Sequence, residues 1–300
     1  MIPSALAAKI KPASPMRPEH QLLANIAKEI RRLTVAAIYR AGSGHPGGSL
    51  SCADILAALY GAELYIPRDD PESADRDRFI LSKGHAAPAL YAAWAACGLT
   101  SIQTALSLRK LGSRAQGHPH VIDMPLAETS TGSLGQGFSV GVGMAIGLMH
   151  QRRPARVYAL LGDGECQEGE VWEAAMSAAH FGLSNLCAIV DYNKLQSDDR
   201  NANIMGLEPL EAKWKAFGWN VCEIDGHDLS AILAALSLSR KETERPSVII
   251  AHTVKGRGVP YMEDQPAWHG SVKMTPQQAH DALDALDTAP NLITELCDGV

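Results

Sequence analysis

The chain has 300 residues, with 27 Lys and Arg against 33 Asp and Glu, for a net charge of −6 at neutral pH. Its basic residues are scattered rather than striped, which excludes a nucleic-acid-binding surface of the usual kind, and no apolar run is long enough to span a bilayer. Length and apolar content suit one α/β domain with a sizeable core.

Residues 1–19 carry Pro3, Pro12, Pro15 and Pro18 and lack the apolar centre of a signal peptide, so they read as a flexible N-terminal arm. One domain is expected over residues 20–300. Leu22, Leu23, Ile26, Ile30, Leu33 and Ile38 keep helical spacing up to Ala41-Gly42. The pattern resumes after Ser51 with Ile55, Leu56 and Leu59. Arg78 to Leu81 predicts a strand that ends in Ser82-Lys83-Gly84-His85, with Lys83 read as surface charge at the strand end. Pro88 sits early in the next helix. Residues 139–149 are small and apolar, as in a helix packed tightly on a sheet or on another subunit. Val157 to Leu161, Leu186 to Val190, Trp219 to Ile224 and Ser247 to Ala251 predict four more strands, with a helix from about Gly169 to His180. A final helix with a frayed end begins at Thr275. Five strands ending in polar or glycine loops, with helices between them, predict a doubly wound parallel sheet with helices on both faces. The six cysteines form no C-x-x-C pair and read as reduced packing residues of a cytoplasmic protein.

The most specific chemical signal is Gly162-Asp163-Gly164, with Asn193 thirty residues beyond Asp163. Each follows a short apolar run, so a carboxylate and a carboxamide should stand at the carboxyl ends of two buried strands, where open α/β sheets bind ligands. Their oxygens suit Mg²⁺, which completes its octahedral shell with phosphate oxygens. Flanking glycines let backbone approach a diphosphate closely. The helix after the turn points its amino end there, but a helix terminus contributes only roughly 0.3–1 kcal/mol. The cation must therefore do most of the neutralisation. GDG alone would be an ordinary glycine turn; the second strand and its Asn favour a metal–diphosphate site.

Ser43-Gly44-His45-Pro46-Gly47, Leu81-Ser82-Lys83-Gly84-His85, Gly117-His118-Pro119, Thr131-Gly132-Ser133-Leu134-Gly135-Gln136-Gly137, Thr253-Val254-Lys255-Gly256-Arg257-Gly258 and Trp268-His269-Gly270 fall around that pair. In this order they resemble transketolase, over about residues 20–275 and in its amino-terminal, thiamine diphosphate-binding part. The resemblance implies thiamine diphosphate and Mg²⁺ as cofactors and the diphosphate-binding type of domain. Asp163 and Asn193 would ligate Mg²⁺ by side chain and Leu195 by its carbonyl. Gly164 would offer its amide to the diphosphate, with His85, Lys255 and His269 around the phosphates. Gly132, Ser133 and Leu134 would lie along the aminopyrimidine. His45, His118 and His269 would bind the donor's oxygens and move protons, work that suits an imidazole titrating near neutrality. His227 reads as a loop-capping residue, and His120, His150, His180 and His252 as ordinary ones. Glu168 resembles an acid at the family's subunit interface; Glu165 and Glu170 read as solvent-facing or helix-start residues, and Cys166 as a passive loop residue. Ser133 replaces the family's Pro, and Ser197-Asp198-Asp199 departs from its Asp-Gly.

In the family a pyrimidine-binding domain follows and supplies a Glu for N1′ of the cofactor. No segment here resembles it. The expectation is the first subunit of a split transketolase, incomplete without a partner carrying that domain, assembled as α₂β₂. It would move a two-carbon ketol unit from a ketose (phosphate) to an aldose (phosphate). Deoxyxylulose-phosphate synthase shares cofactor and architecture but fits Ser82-Lys83-Gly84-His85 and Trp268-His269-Gly270 less well. A non-catalytic cofactor-binding regulatory subunit would have no reason to keep the metal pair and all three histidines.

Overall fold

In the computed structural model, which describes residues 18–67, 69–70 and 73–298, five strands form one parallel sheet. They are β1 (Arg78–Leu81), β2 (Val157–Gly162), β3 (Leu186–Tyr192), β4 (Asn220–Asp225) and β5 (Ser247–His252), ordered β1-β2-β3-β5-β4. Side chains alternate between two cores. Leu186, Ala188 and Val190 of β3 enter one, and Cys187 and Ile189 enter the other. Both faces are covered, so the central strands are apolar at nearly every position.

The core that takes Cys187 and Ile189 is built by α1 (Pro18–Ala41), α2 (Pro46–Ser51), α3 (Ala53–Ala58) and α4 (Ala87–Ala96), among others. Leu23, Ala27, Ile30 and Ile38 of α1 are buried there, the stripe that helical spacing predicts. The opposite face is covered by α6 (Gln136–His150), which follows the short α5 (Ile102–Leu106), and by α7 (Gly169–His180). Small residues of α6 allow close packing: a Cβ on Gly141 would sit 3.1 Å from Ile80. Then come α8 (Asn201–Ile204), α9 (Leu210–Ala216) and α10 (Leu229–Lys241).

All five expected strands and the doubly wound sheet are found. The end of the chain differs from expectation. Instead of one helix from Thr275 there are two, α11 (Pro276–Ala285) and α12 (Pro290–Asp298). Thr275 and Gln278 form a capping box at the start of α11. Asp287 turns left-handed at φ 52°, which breaks the helix, and Pro290 opens the next one. Most of the expected N-terminal arm, residues 1–17, lies outside the described residues. Among the described residues no helix is long and apolar enough to cross a membrane.

Strand register fixes the site. Gly162 pairs with Asp191, and Tyr192 pairs with His252. Asp163, Asn193 and the segment leading to Lys255 therefore leave the sheet at one level, on its carboxyl edge.

Candidate cofactor site and active site

A cavity of about 290 Å³ opens on that edge, lined by His45, Lys83, His85, Gly132, Leu134, Asp163, Gly164, Asn193, Leu195, Lys255 and His269, with Glu165, Gln196 and Glu168 beside them. Asp163 is buried and accepts a hydrogen bond from the Gly164 amide at 2.8 Å and another from the Lys194 amide. Burial, and then the Asp191 charge, push its carboxyl up to about 6. The Asn193 carboxamide oxygen accepts from the Leu195 amide at 3.2 Å. Lys255 Nζ donates to the Leu195 carbonyl at 2.6 Å. Burial lowers that ammonium to about 8 against the opposing pull of Asp163.

These residues fit a hard cation with a phosphate anion. A carboxylate, an amide oxygen and a carbonyl line one pocket, and the buried carboxylate has only amide donors close to it. Among the described residues the side-chain nitrogens Gln196 Nε2 and His45 Nδ1 are buried without hydrogen-bond partners, so both have bonding capacity left for a ligand. Among the described residues no three His, Cys, Asp or Glu side chains form a metal cluster.

Three imidazoles close the other side. His45 precedes α2, His85 lies in the turn after β1, and His269 follows the short turn Pro266–Trp268. Ring centroids are 5.4 Å apart for His45–His85 and for His85–His269, and 6.2 Å apart for His45–His269. Burial and then the neighbouring cations lower His45 to about 4 and His269 to about 3; His85 is held well below its ordinary value for the same reasons. These shifts favour the neutral imidazoles, each with one donor and one acceptor nitrogen, and Nδ1 of His269 already accepts from Lys255 Nζ at 2.5 Å. Gly48 keeps this space open, since a Cβ there would lie 3.2 Å from His85 Nε2.

His118 is exposed at the rim rather than in the cavity wall, 6.4 Å from His45. A Cβ on Gly132 would come within 3.1 Å of its ring. Ser133 is exposed and outside the lining, whereas its neighbours Gly132 and Leu134 belong to it.

Two readings are corrected. Lys83 is not surface charge: it is 1% exposed, ion-paired with Asp191, and donates to the Gly48 carbonyl at 2.7 Å. Burial, the largest single influence, would lower its ammonium, but the charge and hydrogen bond of Asp191 together with Cys52 and Asp163 raise it. Asp191 also accepts from Ser51 Oγ at 2.6 Å and from Thr253 Oγ1. Glu165 is likewise buried. It accepts from Ser82 Oγ and from the Gly135 and Gly162 amides, both at 2.9 Å, and so braces the glycine turn.

Other readings agree with the geometry. Glu170, in the first turn of α7, accepts from Ser139 and Gln136. His227 braces a loop: its Nδ1 pairs with Asp54 and its Nε2 accepts from the Val254 amide, each at 2.8 Å. Cys166 is buried, and burial pushes its thiol well above the ordinary range. Glu168 is exposed at the cavity edge, and among the described residues its carboxylate makes no hydrogen bond.

The family model for the transketolase thiamine diphosphate binding domain matches residues 23–280. The chain belongs to the transketolase family. It is 42% identical over 261 residues to the 6-deoxy-6-sulfo-D-fructose transketolase subunit SqwG of Clostridium sp. (strain MSTE9), covering 87% of this chain and 94% of that one. It is 40% identical over 253 residues to an apulose-4-phosphate transketolase subunit of Phocaeicola vulgatus, covering 84% and 89%. Human transketolase is 41% identical over 251 residues, which is 83% of this chain but 40% of that protein. The crystal structure of Pichia stipitis transketolase superposes with a TM-score of 0.84 at 29% identity, over 92% of this chain and 44% of that one. The chain thus spans less than half of the longer transketolases and nearly all of the two subunit proteins. It is a transketolase subunit of the amino-terminal, thiamine diphosphate-binding kind, which acts as part of a complex with a partner subunit.

Proposed function

We propose that this chain supplies the diphosphate half of a shared active site that moves a two-carbon ketol unit from a ketose or ketose phosphate to an aldose or aldose phosphate. The observation that carries the reading is the meeting of His45, His85 and His269 with Asp163, Asn193 and Leu195 in one cavity. Bound thiamine diphosphate would supply the carbon nucleophile that carries the ketol unit. In this reading Asp163, Asn193 and the Leu195 carbonyl hold Mg²⁺. Gly164, His85, Lys255 and His269 take the phosphates, and Lys255 offers a buried cation on a site that must otherwise neutralise a diphosphate. The Gly164 amide, which donates to Asp163 in the structure, would be offered to the ligand. Gly132 and Leu134 wall the aminopyrimidine, with Ser133 at its outer edge.

His45, His118 and His269 bind the donor's hydroxyl and carbonyl oxygens and move protons there. Burial among cations keeps His45 and His269 neutral, the state that can accept a proton. The partner brings the pyrimidine-binding domain, in an α₂β₂ assembly whose sites Glu168 helps to link. Support for a covering partner comes from exposed apolar side chains, Val121 and Ile122 in the loop after His118, Val140 on α6 and Met176 on α7. Unbridged buried thiols at Cys52, Cys166 and Cys187 accord with a cytoplasmic setting. The two subunit relatives are named for different ketoses, so the donor is left as a class.

The test is ketol transfer from a ketose phosphate with thiamine diphosphate and Mg²⁺, for this chain with and without its partner chain. Activity of the mixture supports the reading, and a mixture that binds the cofactor yet transfers nothing overturns it.

A further inference from the structure

Lys255 reaches the site from a strap, residues 253–258, that leaves the end of β5, and one backbone amide of that strap is held by the side chain of His227. We propose that His227 is a positioning residue for cofactor binding: its unprotonated Nε2, ordered through Asp54 and Arg31, docks the strap that sets Lys255 in the site, and a proton on the ring releases it. The inference rests on the reading above, in which Lys255 meets the cofactor's phosphates.

Strands β4 and β5 pair as far as Asp225 and His252, and the Gly226 amide extends the pairing by donating to the His252 carbonyl at 2.8 Å. On the other side Thr253 still donates to the Tyr192 carbonyl of β3 at 3.1 Å. The next amide, that of Val254, donates to His227 Nε2 at 2.8 Å. The imidazole thus takes the place of a main-chain acceptor where the ladder has ended. Further on, the Gly256 amide donates to the Gly47 carbonyl at 3.0 Å. Lys255, between these two anchors, meets the Leu195 carbonyl and His269. The strap then settles on Arg31, where a Cβ on Gly258 would lie 3.3 Å from Arg31 Cδ.

A backbone amide can only donate, so Nε2 must offer its lone pair to Val254, and the ring proton sits on Nδ1. That nitrogen is 2.8 Å from Asp54 Oδ2, and two guanidinium nitrogens of Arg31 take the same carboxylate. Burial would raise the Asp54 carboxyl, but the hydrogen bond from His227 and the Arg31 charge bring it to about 2, so it stays an anion. A second proton on the ring would set N–H against N–H at Val254. The docked strap therefore binds one proton fewer than the released one, and acid favours release.

Other charges face the ring, and each is engaged elsewhere. The ring divides two cavities, of about 340 and 540 Å³. In the first, Lys28 pairs with Asp287, His20 meets Ser230 Oγ, and Asp228 caps α10. In the second, His252 pairs with Glu223, Lys194 lies over the Tyr192 ring, and Asp225 accepts the amide of His227 itself. Arg257 lines both and lies 3.7 Å from Glu263. Among the described residues only Asp54 and Val254 take the imidazole nitrogens.

The test uses the complex with its partner and reads thiamine diphosphate binding with Mg²⁺ by calorimetry. His227→Leu removes the acceptor, and His227→Gln returns an amide oxygen that does not titrate. At high pH His227→Leu is expected to weaken affinity about tenfold, the equivalent of about 1.4 kcal/mol, and His227→Gln to recover most of it. From about pH 8 to about pH 5, where imidazoles ordinarily change charge, the wild type should lose affinity relative to His227→Gln by at least about threefold. Effects of pH on Asp163, Lys255 and the phosphates cancel in that ratio. Hydrogen exchange of the 253–258 segment in the cofactor-free complex should quicken in His227→Leu and not in His227→Gln. A flat ratio, or wild-type exchange in His227→Leu, overturns the proposal. Lys255→Met separates the inference from the reading beneath it. If His227 acts through Lys255, adding His227→Leu to Lys255→Met costs little more. Losses that add overturn the inference and leave the phosphate role of Lys255 standing. Wild-type affinity in Lys255→Met refutes that role and takes the inference with it.

Discussion

Lys83 and Asp191 offer the sharpest test of how the site is supported. Their side chains are 1% and 0% exposed, so each charge is stabilised chiefly by the other. Lys83→Met leaves the Asp191 carboxylate buried with the hydroxyls of Ser51 and Thr253 as its main donors. Asp191→Asn leaves a buried ammonium with the Gly48 carbonyl. Breaking one side of a buried pair costs roughly 3–5 kcal/mol, whereas removing both charges is often close to neutral, because neither ion is then stranded. Each single variant should therefore lose about 3–5 kcal/mol, and the double variant clearly less than the sum, with a coupling of at least about 3 kcal/mol. Urea unfolding of the cofactor-free chain reads this, following the buried Trp94, Trp214 and Trp219 by fluorescence with circular dichroism as the second probe. Additive losses, or single variants that lose less than about 1 kcal/mol, would refute the claim that the pair is coupled and dry.

Four further outcomes are expected. Asp163→Ala should abolish Mg²⁺-dependent retention of thiamine diphosphate, as should chelation of the wild type; retention unchanged in calorimetry would remove the metal assignment. Gly84→Ala should weaken cofactor affinity, because its Cβ would meet Thr131 Oγ1 at 2.6 Å and the Gly132 amide nitrogen at 2.8 Å, pushing the pyrimidine wall off His85; wild-type affinity counts against that wall. His118→Ala should cut turnover by roughly 10²–10⁴ while sparing cofactor binding, since the ring lies outside the cavity wall. Asp54 reports on acid stability: burial would raise its carboxyl, but His227 and Arg31 bring it to about 2. A depressed carboxyl stabilises the fold fully above its unfolded value and loses that contribution as pH falls through the folded one. About 2 kcal/mol should thus disappear between about pH 4 and pH 2, and Asp54→Asn should flatten that limb of a pH–stability curve.

The fold was legible wherever apolar runs were short and bounded by turn residues. All five strands end at polar or glycine loops, and α1 follows a clean helical stripe. The break between α11 and α12 was hidden, because Asp287 carries no left-handed signature as glycine would. The site divided along the same line. Asp163, Asn193 and the histidines sit in glycine-flanked segments that a reader of the chain can isolate. Lys83 and Glu165 sit in the same segments, yet they read as surface charge because their partners are far away in sequence. Lys83 meets Asp191 and Glu165 meets Ser82 only once β1, β2 and β3 stand side by side. Nothing local marks an ion as buried when its counter-ion lies about a hundred residues away.

The placement of the carboxylates says what this cavity cannot do unaided. Asp191 is sealed by Lys83, Ser51 and Thr253. Glu165 is spent on Ser82 and two backbone amides. Asp163 faces the proposed cation. An acid that must hydrogen-bond a pyrimidine nitrogen needs a free oxygen over the open side of the cavity, and none of these three has one to give. Glu168 is exposed at the edge with no hydrogen bond among the described residues, so it is the candidate within this chain. With that acid assigned to the partner's pyrimidine-binding domain, a ketol-transfer assay on this chain without its partner should be silent. Activity that survives without the partner and vanishes in Glu168→Gln would mean that Glu168 performs the work assigned here to the partner's carboxylate.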